Sequence, residues 1–309
     1  HAIAPDARLV VVNARPTLEG GGTFEKIGRM FDDAAQRFPG SVWSLSIGWG
    51  CEALVTAADV APVRAALAGA HRRGITVFDS SGDVGGLECK GGRDWSTPPG
   101  PDDIGVDTVA SLPETTSVGG STLSTDLDGR WLEEQAWTDV PMSQGSSGGA
   151  SRLFGRPSYQ QDLSGNGYPA HRLVPDVSAV ADPFTGVKIV FQQSLRIGGG
   201  TSQAAPIWAG LTVLMQQYAI DQGGRAFGDL NPLLYRAAAV SPLPGFQDIT
   251  VGANAVDSAT PGYDLVTGLG TPNADNLARG LLDANNARAR PPDSMTPGRS
   301  RTTRSTSAG

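Results

Sequence analysis

The 309 residues leave room for one large or two ordinary domains, and a hydrophobic content of 39% is enough for a sizeable core. Net charge is -7; five arginines against Asp293 from Arg288 onward give that end +4 and leave an acidic body of about -11, which excludes the basic face of a nucleic-acid binder. No run of about 18 apolar residues is present, which excludes a transmembrane helix, and 41 glycines with 22 prolines point to many tight turns between strands.

In chain order, residues 8–13 (RLVVVN) read as a buried strand. Residues 23–38 predict a helix, with Phe24, Ile27, Met30, Phe31, Ala34 and Ala35 at helical spacing. A second strand over 42–47 and a second helix over 62–73 follow, the helix stopped by Gly74 as a C-cap. A third strand covers 75–80. This alternation is the pattern of a mainly parallel sheet with helices on both faces, so the fold class is α/β, with a ligand expected at the carboxyl ends of the strands. Residues 81–113 are rich in Gly, Pro and Asp and read as loop, and further strands are expected over 118–123 and 188–192. Residues 201–218 are apolar on nearly every side, which places that helix inside the protein. Two more helices follow Asn231 and Asn273. Beyond about Arg290 the Pro, Ser, Thr and Arg composition predicts a disordered tail.

The strongest chemical signal is GGGTSQAAP, residues 198–206. A glycine-rich turn delivers Ser202 to the start of the buried helix, where the helix N-terminus favours negative charge developing beside the hydroxyl. Pro206 is read as lying in the first turn, where a missing N–H costs little. A histidine base is not in view. His71 sits in the last turn of a helix beside Arg72 and Arg73, His171 lies in a loop, and His1 is the first residue. The second signal is Asp79-Ser80-Ser81-Gly82-Asp83 at the end of the third strand. A carboxyl can donate a hydrogen bond to a developing oxyanion only while it carries its proton, so such chemistry belongs to acid conditions. The third is Asp248-Ile249-Thr250 followed by PGYDLVTGLG, residues 261–270. Two carboxylates separated by a glycine-rich loop can supply hard oxygen ligands to Ca²⁺, supplemented by backbone carbonyls.

These runs together resemble the sedolisin, or serine-carboxyl peptidase, family, whose fold is subtilisin-like. GTSQAAP matches the nucleophile motif shared with subtilisins, and SSGD matches the sedolisin segment whose Asp takes the oxyanion-hole role. The resemblance implies Ser202 as nucleophile and Asp83 as oxyanion partner. It implies a calcium site in which Asp248 and Asp264 give side-chain oxygens while Ile249, Thr260 and Gly262 give carbonyls. Ser46, Gly48 and Trp49 resemble the strand end that pairs with substrate backbone, Gly48 allowing close approach. Cys51 and Cys89 by themselves fit either one disulfide or two buried thiols; the resemblance implies a disulfide between loops flanking the cleft.

The resemblance runs from His1 to about Leu282. Its general base is a Glu, assisted by an Asp four residues on, in a helix just before an A-I-A-P-x-A segment. Residues 2–7 (AIAPDA) match that segment, so the pair is expected just before His1, and the chain, which opens on His rather than Met, reads as a fragment or processed product. The expected division is a peptidase catalytic domain lacking its N-terminal segment over 1–287 and a tail over 288–309. Two functions stay open. One is a secreted, acid-acting serine endopeptidase, weak or inactive as this chain, with a propeptide upstream, a peptide or protein substrate and a monomeric state. The other is a non-catalytic peptide-binding protein.

Overall fold

The computed structural model describes residues 2–12, 22–90, 97–139 and 144–289. The first half follows the alternating pattern closely: α1 (Thr23–Arg37), β1 (Val42–Leu45), α2 (Ala61–Arg72), β2 (Thr76–Ser80) and β3 (Thr116–Thr125). Glycine decides two of these joints. Gly74 takes φ +76° after α2, and Gly28 lets α1 lie against the start of α2, since a Cβ there would stand 2.9 Å from the Pro62 carbonyl oxygen.

β1, β2, β3 and the strand Val177–Val180 run parallel, paired in that order, while β4 (Trp131–Ala136) returns antiparallel along the far half of β3. Every residue of β2 is buried, as a strand covered on both faces requires. Its alternation separates two cores. Val77 joins Phe31, Val63 and Leu67 under α1 and α2. Phe78 joins Trp208, Leu234 and Leu281 from α3 (Thr201–Asp221), α4 (Asn231–Val240) and α5 (Ala274–Ala289) on the other face. The axial helix is α3, with Trp208 fully buried and its Nε1 donating to the Ser178 carbonyl at 2.7 Å.

Three expectations need correction. Residues 8–12 form no strand, and Leu9, Val10, Val11 and Val12 are exposed. An apolar run becomes a strand only with a neighbour to complete its ladder, and none pairs with it among the described residues; Asn13 lies outside them. Lys188–Phe191 is a strand, but it pairs only with Ser194–Ile197 in a hairpin whose side chains are exposed, away from the central sheet. Pro206 is the sixth residue of α3, beyond the first turn. Most of the expected tail, residues 290–309, lies outside the described residues.

Candidate active site

Three chain segments meet at the carboxyl ends of β1 and β2. Ser46 follows β1, Ser81–Asp83 follow β2, and Ser202 stands in the first turn of α3. The sharp entry to α3 depends on Gly200, at φ +84° and ψ 161°, a conformation that only glycine adopts without strain. Glycine is needed there for space as well, because a Cβ would lie 2.6 Å from Asp83 Oδ2.

Asp83 is fastened to the residue beside Ser202. Its Oδ1 accepts the Thr201 N–H and the Thr201 hydroxyl, both at 2.7 Å, and Thr201 Oγ1 in turn accepts the Gly82 N–H at 3.1 Å. With Oδ1 saturated, a proton on this carboxyl belongs on Oδ2, the oxygen turned towards Gly200. Ser46 Oγ donates to the Ser202 carbonyl at 3.0 Å, so the end of β1 is tied to the backbone of Ser202. Ser202 is exposed, and its hydroxyl forms no hydrogen bond among the described residues.

Beneath these segments lie carboxyls that the sequence reading left in loops or unassigned. Ser147 Oγ donates to Glu88 Oε1 at 2.8 Å and accepts the Val84 N–H, which sets the loop after Asp83. Burial is the largest influence on Glu88 and raises it to about 7, against the weaker opposing hydrogen bond from Ser147 and with support from Asp107 and Asp83. Asp107 accepts the Gly50 N–H at 2.7 Å and the Val109 N–H at 2.8 Å, and burial lifts it to about 6. The legible signal for a third group was Asp79, a carboxylate inside the apolar strand TVFDS. Glu88 and Asp107 had none.

Cys51 and Cys89 are joined by a disulfide. Gly48 and Trp49 flank the bridge-bearing loop beside Ser46, and Gly48 faces Asp107, where a Cβ would meet Oδ2 at 3.2 Å. His71 is held by two backbone carbonyls, Ile75 through Nδ1 and Glu114 through Nε2, and has no part in the site. His171 opens a strand at the surface.

The suspected calcium residues cluster in a separate loop. Asp248 Oδ2 accepts the Gly262 N–H at 2.8 Å, and Asp264 Oδ2 accepts the Thr260 N–H at 3.1 Å, so both carboxylates are fastened to the turn that carries the Thr260 and Gly262 carbonyls. Ile249 is buried beside them. All five donors are oxygens, which fits a hard cation. Among the described residues no group of three or more His, Cys, Asp or Glu side chains is placed to hold a metal, so backbone carbonyls would have to complete the shell.

The fold and this constellation define a subtilase. Residues 1–259 match the model of the subtilase family. The chain is 34% identical to kumamolisin of Bacillus sp. (strain MN-32) over 91% of its own length and 49% of that protein's. It is 33% identical to sedolisin of Pseudomonas sp. (strain 101), covering 78% of this chain and 40% of that one, and 30% identical to human tripeptidyl-peptidase 1, covering 74% and 41%. A solved structure of Pseudomonas sedolisin, a serine-carboxyl proteinase in complex with two molecules of pseudo-iodotyrostatin, matches with a TM-score of 0.74 at 30% identity, over 84% of this chain and 70% of that one. The chain belongs to the sedolisin family of serine-carboxyl peptidases, with the subtilisin-like fold. It spans about half, or less, of the length of the curated relatives it matches. No helix among the described residues is long and apolar enough to cross a membrane.

Proposed function

We propose that this chain carries the nucleophile, oxyanion partner and substrate strand of a secreted, acid-acting serine endopeptidase. The observation that carries the reading is the coupling of Asp83 to Thr201 and of Ser46 to Ser202, which joins a protonatable carboxyl and a substrate-facing strand to one exposed serine. A carboxylate base takes the proton from Ser202 Oγ as that oxygen attacks the peptide carbonyl. The oxyanion is held by the acid form of Asp83, donating from Oδ2, and by the Ser202 N–H. Collapse expels the amine, which takes the proton back from the base, and leaves an acyl-enzyme; water, giving a proton to the same base, cleaves it and the proton returns to Ser202 Oγ. The resemblance assigns the base to a Glu–Asp pair in a helix that precedes an A-I-A-P-x-A segment. The Cys51–Cys89 bridge supports an oxidising, extracellular setting.

Calcium has a structural part in this reading. The carboxylates of Asp248 and Asp264 and the carbonyls of Ile249, Thr260 and Gly262 would hold it. The ion would supply no step of acyl transfer and would tie the 248–264 loop to the body.

A second reading, a non-catalytic protein that holds extended peptides in the same cleft, is favoured by one observation: Ser202 Oγ has no carboxylate or imidazole bound to it among the described residues. Hydrolysis of a quenched fluorescent peptide library from pH 3 to 8, by this chain and its Ser202→Ala variant, decides between them. Acid-optimal cleavage lost in the variant establishes the peptidase. Where neither cleaves, a Glu–Asp helix fused ahead of His1 decides: cleavage gained marks the peptidase, and peptide binding without cleavage marks the binding protein.

A further inference from the structure

Asp79 is fully buried in β2, paired with Leu45 on one side and Ser117 on the other, and the reaction above makes no use of it. Alternation puts it on the face of Val77, towards α1 and α2, opposite Phe78 and α3. It therefore cannot touch Ser202 or a bound peptide. Among the described residues neither of its oxygens has a hydrogen-bond partner, and Ser81 Oγ and Ser117 Oγ, on the same face, have none either. The backbone N–H groups of Ile47 and Ser80 act on its carboxyl and favour the charged form.

Asp107 is the neighbouring charge. It accepts the Gly50 N–H and lies against Gly48. The two carboxyls thus bracket residues 47–50, Asp79 at the Ile47 end and Asp107 at the Gly50 end. No Lys, Arg or His is paired with either among the described residues. Glu88, in the loop after β2, adds a third acid near Asp107 and Asp83. On β3 the residue beside Asp79 is the uncharged Ser117. On α2, Arg64 is bound to Glu114 and His71 to two carbonyls, while the charged side chains of α1 are exposed.

We propose that Asp79 is a positioning residue: buried beside Asp107, which binds the Gly50 N–H, it leaves residues 47–50 in place while one carboxyl is neutral and loosens them when both are ionised. The proposal rests on the reading of this segment as the substrate strand. Two uncompensated carboxylates in a dry interior repel each other and lose hydration, and the cost is relieved where the structure can yield. Here the yielding part is the exposed pair Ile47 and Gly48, because β2 and β3 are locked in the sheet. Burial first, and Asp107 second, push Asp79 well above the usual carboxylate range. The strand is accordingly well held in acid and loosens towards alkaline pH.

The test is amide hydrogen exchange on the ligand-free 309-residue chain at pH 5 and pH 8, expressed as protection factors so that the intrinsic pH dependence cancels. In the unmodified protein, protection of residues 47–50 should fall on the order of tenfold, the factor that one pKa unit of differential ionisation implies. In Asp79→Asn it should stay level across the same range. Asp79→Ser, smaller and equally unable to ionise, gives the same reading if the Asn variant does not fold. An equal fall in the variants overturns the proposal, as does a fall spread evenly over β2 and β3. Binding of a fluorescein-labelled decapeptide is followed in parallel. If protection behaves as stated and no peptide binds at any pH, the positioning role stands and the substrate-strand reading falls.

Discussion

Ser46 Oγ donates a hydrogen bond to the carbonyl oxygen of Ser202, 156 positions away, in the first turn of α3 where the helix cannot supply that carbonyl's donor. The helical partner of that carbonyl would be the N–H four residues on, and residue 206 is a proline. The proline inside the nucleophile helix thus frees an acceptor that the end of β1 fills, and the two walls of the cleft are registered to each other. Ser46→Ala should cost about 1 kcal/mol of that registration. Because Ser46 is exposed, melting temperature should hardly move. The measurement is the rate at which a fluorophosphonate probe acylates Ser202, expected to fall about fivefold.

Gly200→Ala tests the entry to α3. The glycine-only backbone conformation costs any other residue about 1–3 kcal/mol, and the new methyl would displace Asp83 from its contact with Thr201. Stability by urea titration should fall by about that amount, and probe acylation of Ser202 should fall further than in Ser46→Ala.

The pH profile of stability should slope against alkali. Glu88, buried, is raised from 4.5 to about 7. In the unfolded chain it ionises near its ordinary value, so between about pH 4.5 and 7 the folded state binds more protons. Stability is therefore full below the unfolded value, falls through that window, and is constant above it. The loss is about 3 kcal/mol from this group. Glu88→Gln should remove about that much of the difference between urea unfolding midpoints at pH 4 and pH 8, while Asp107 and Asp79, also raised by burial, keep the remainder. A profile that keeps its full slope in the variant would assign the effect elsewhere.

The disulfide closes a sequence separation of 38 residues. Chain-entropy reasoning puts its contribution at about 4 kcal/mol. Cys51→Ser with Cys89→Ser should lower the melting temperature correspondingly, and dithiothreitol should do the same to the unmodified protein and nothing to the double variant.

Asp248→Asn tests the proposed calcium site separately from the fold. Asp264 is buried and its oxygens accept N–H groups from Thr260, Val266 and Thr267, so its loss would destabilise the loop with or without metal. Asp248 is exposed and accepts one N–H. Added Ca²⁺ should raise the melting temperature of the unmodified chain, and Asp248→Asn should remove most of that rise while leaving the value in EGTA nearly unchanged. No response to Ca²⁺ in the unmodified chain would exclude the site.

Local pattern and chemistry determined much of this protein. The 3.6-residue spacing in α1, the stop at Gly74, the all-round apolar α3 and the short runs of β1 and β2 are properties of neighbouring residues, so they were legible in the chain. So were GTSQAAP and SSGD, because a tight turn before a helix and a carboxyl after a strand are contiguous. Residues 8–12 misled because a strand is completed by its neighbour, which the run itself does not specify. The hairpin Lys188–Phe191 with Ser194–Ile197 misled for the same reason: alternation says that a strand forms, and only packing says what it forms against. What tertiary structure alone decided is the set of distant pairings: Asp83 with Thr201, Ser46 with Ser202 across the gap left by Pro206, and the gathering of Asp79, Glu88 and Asp107 under the cleft. Each depends on two or three segments far apart in sequence being brought within a few ångströms. Burial and mutual charge, which act only at such distances, then change what those carboxyls can do.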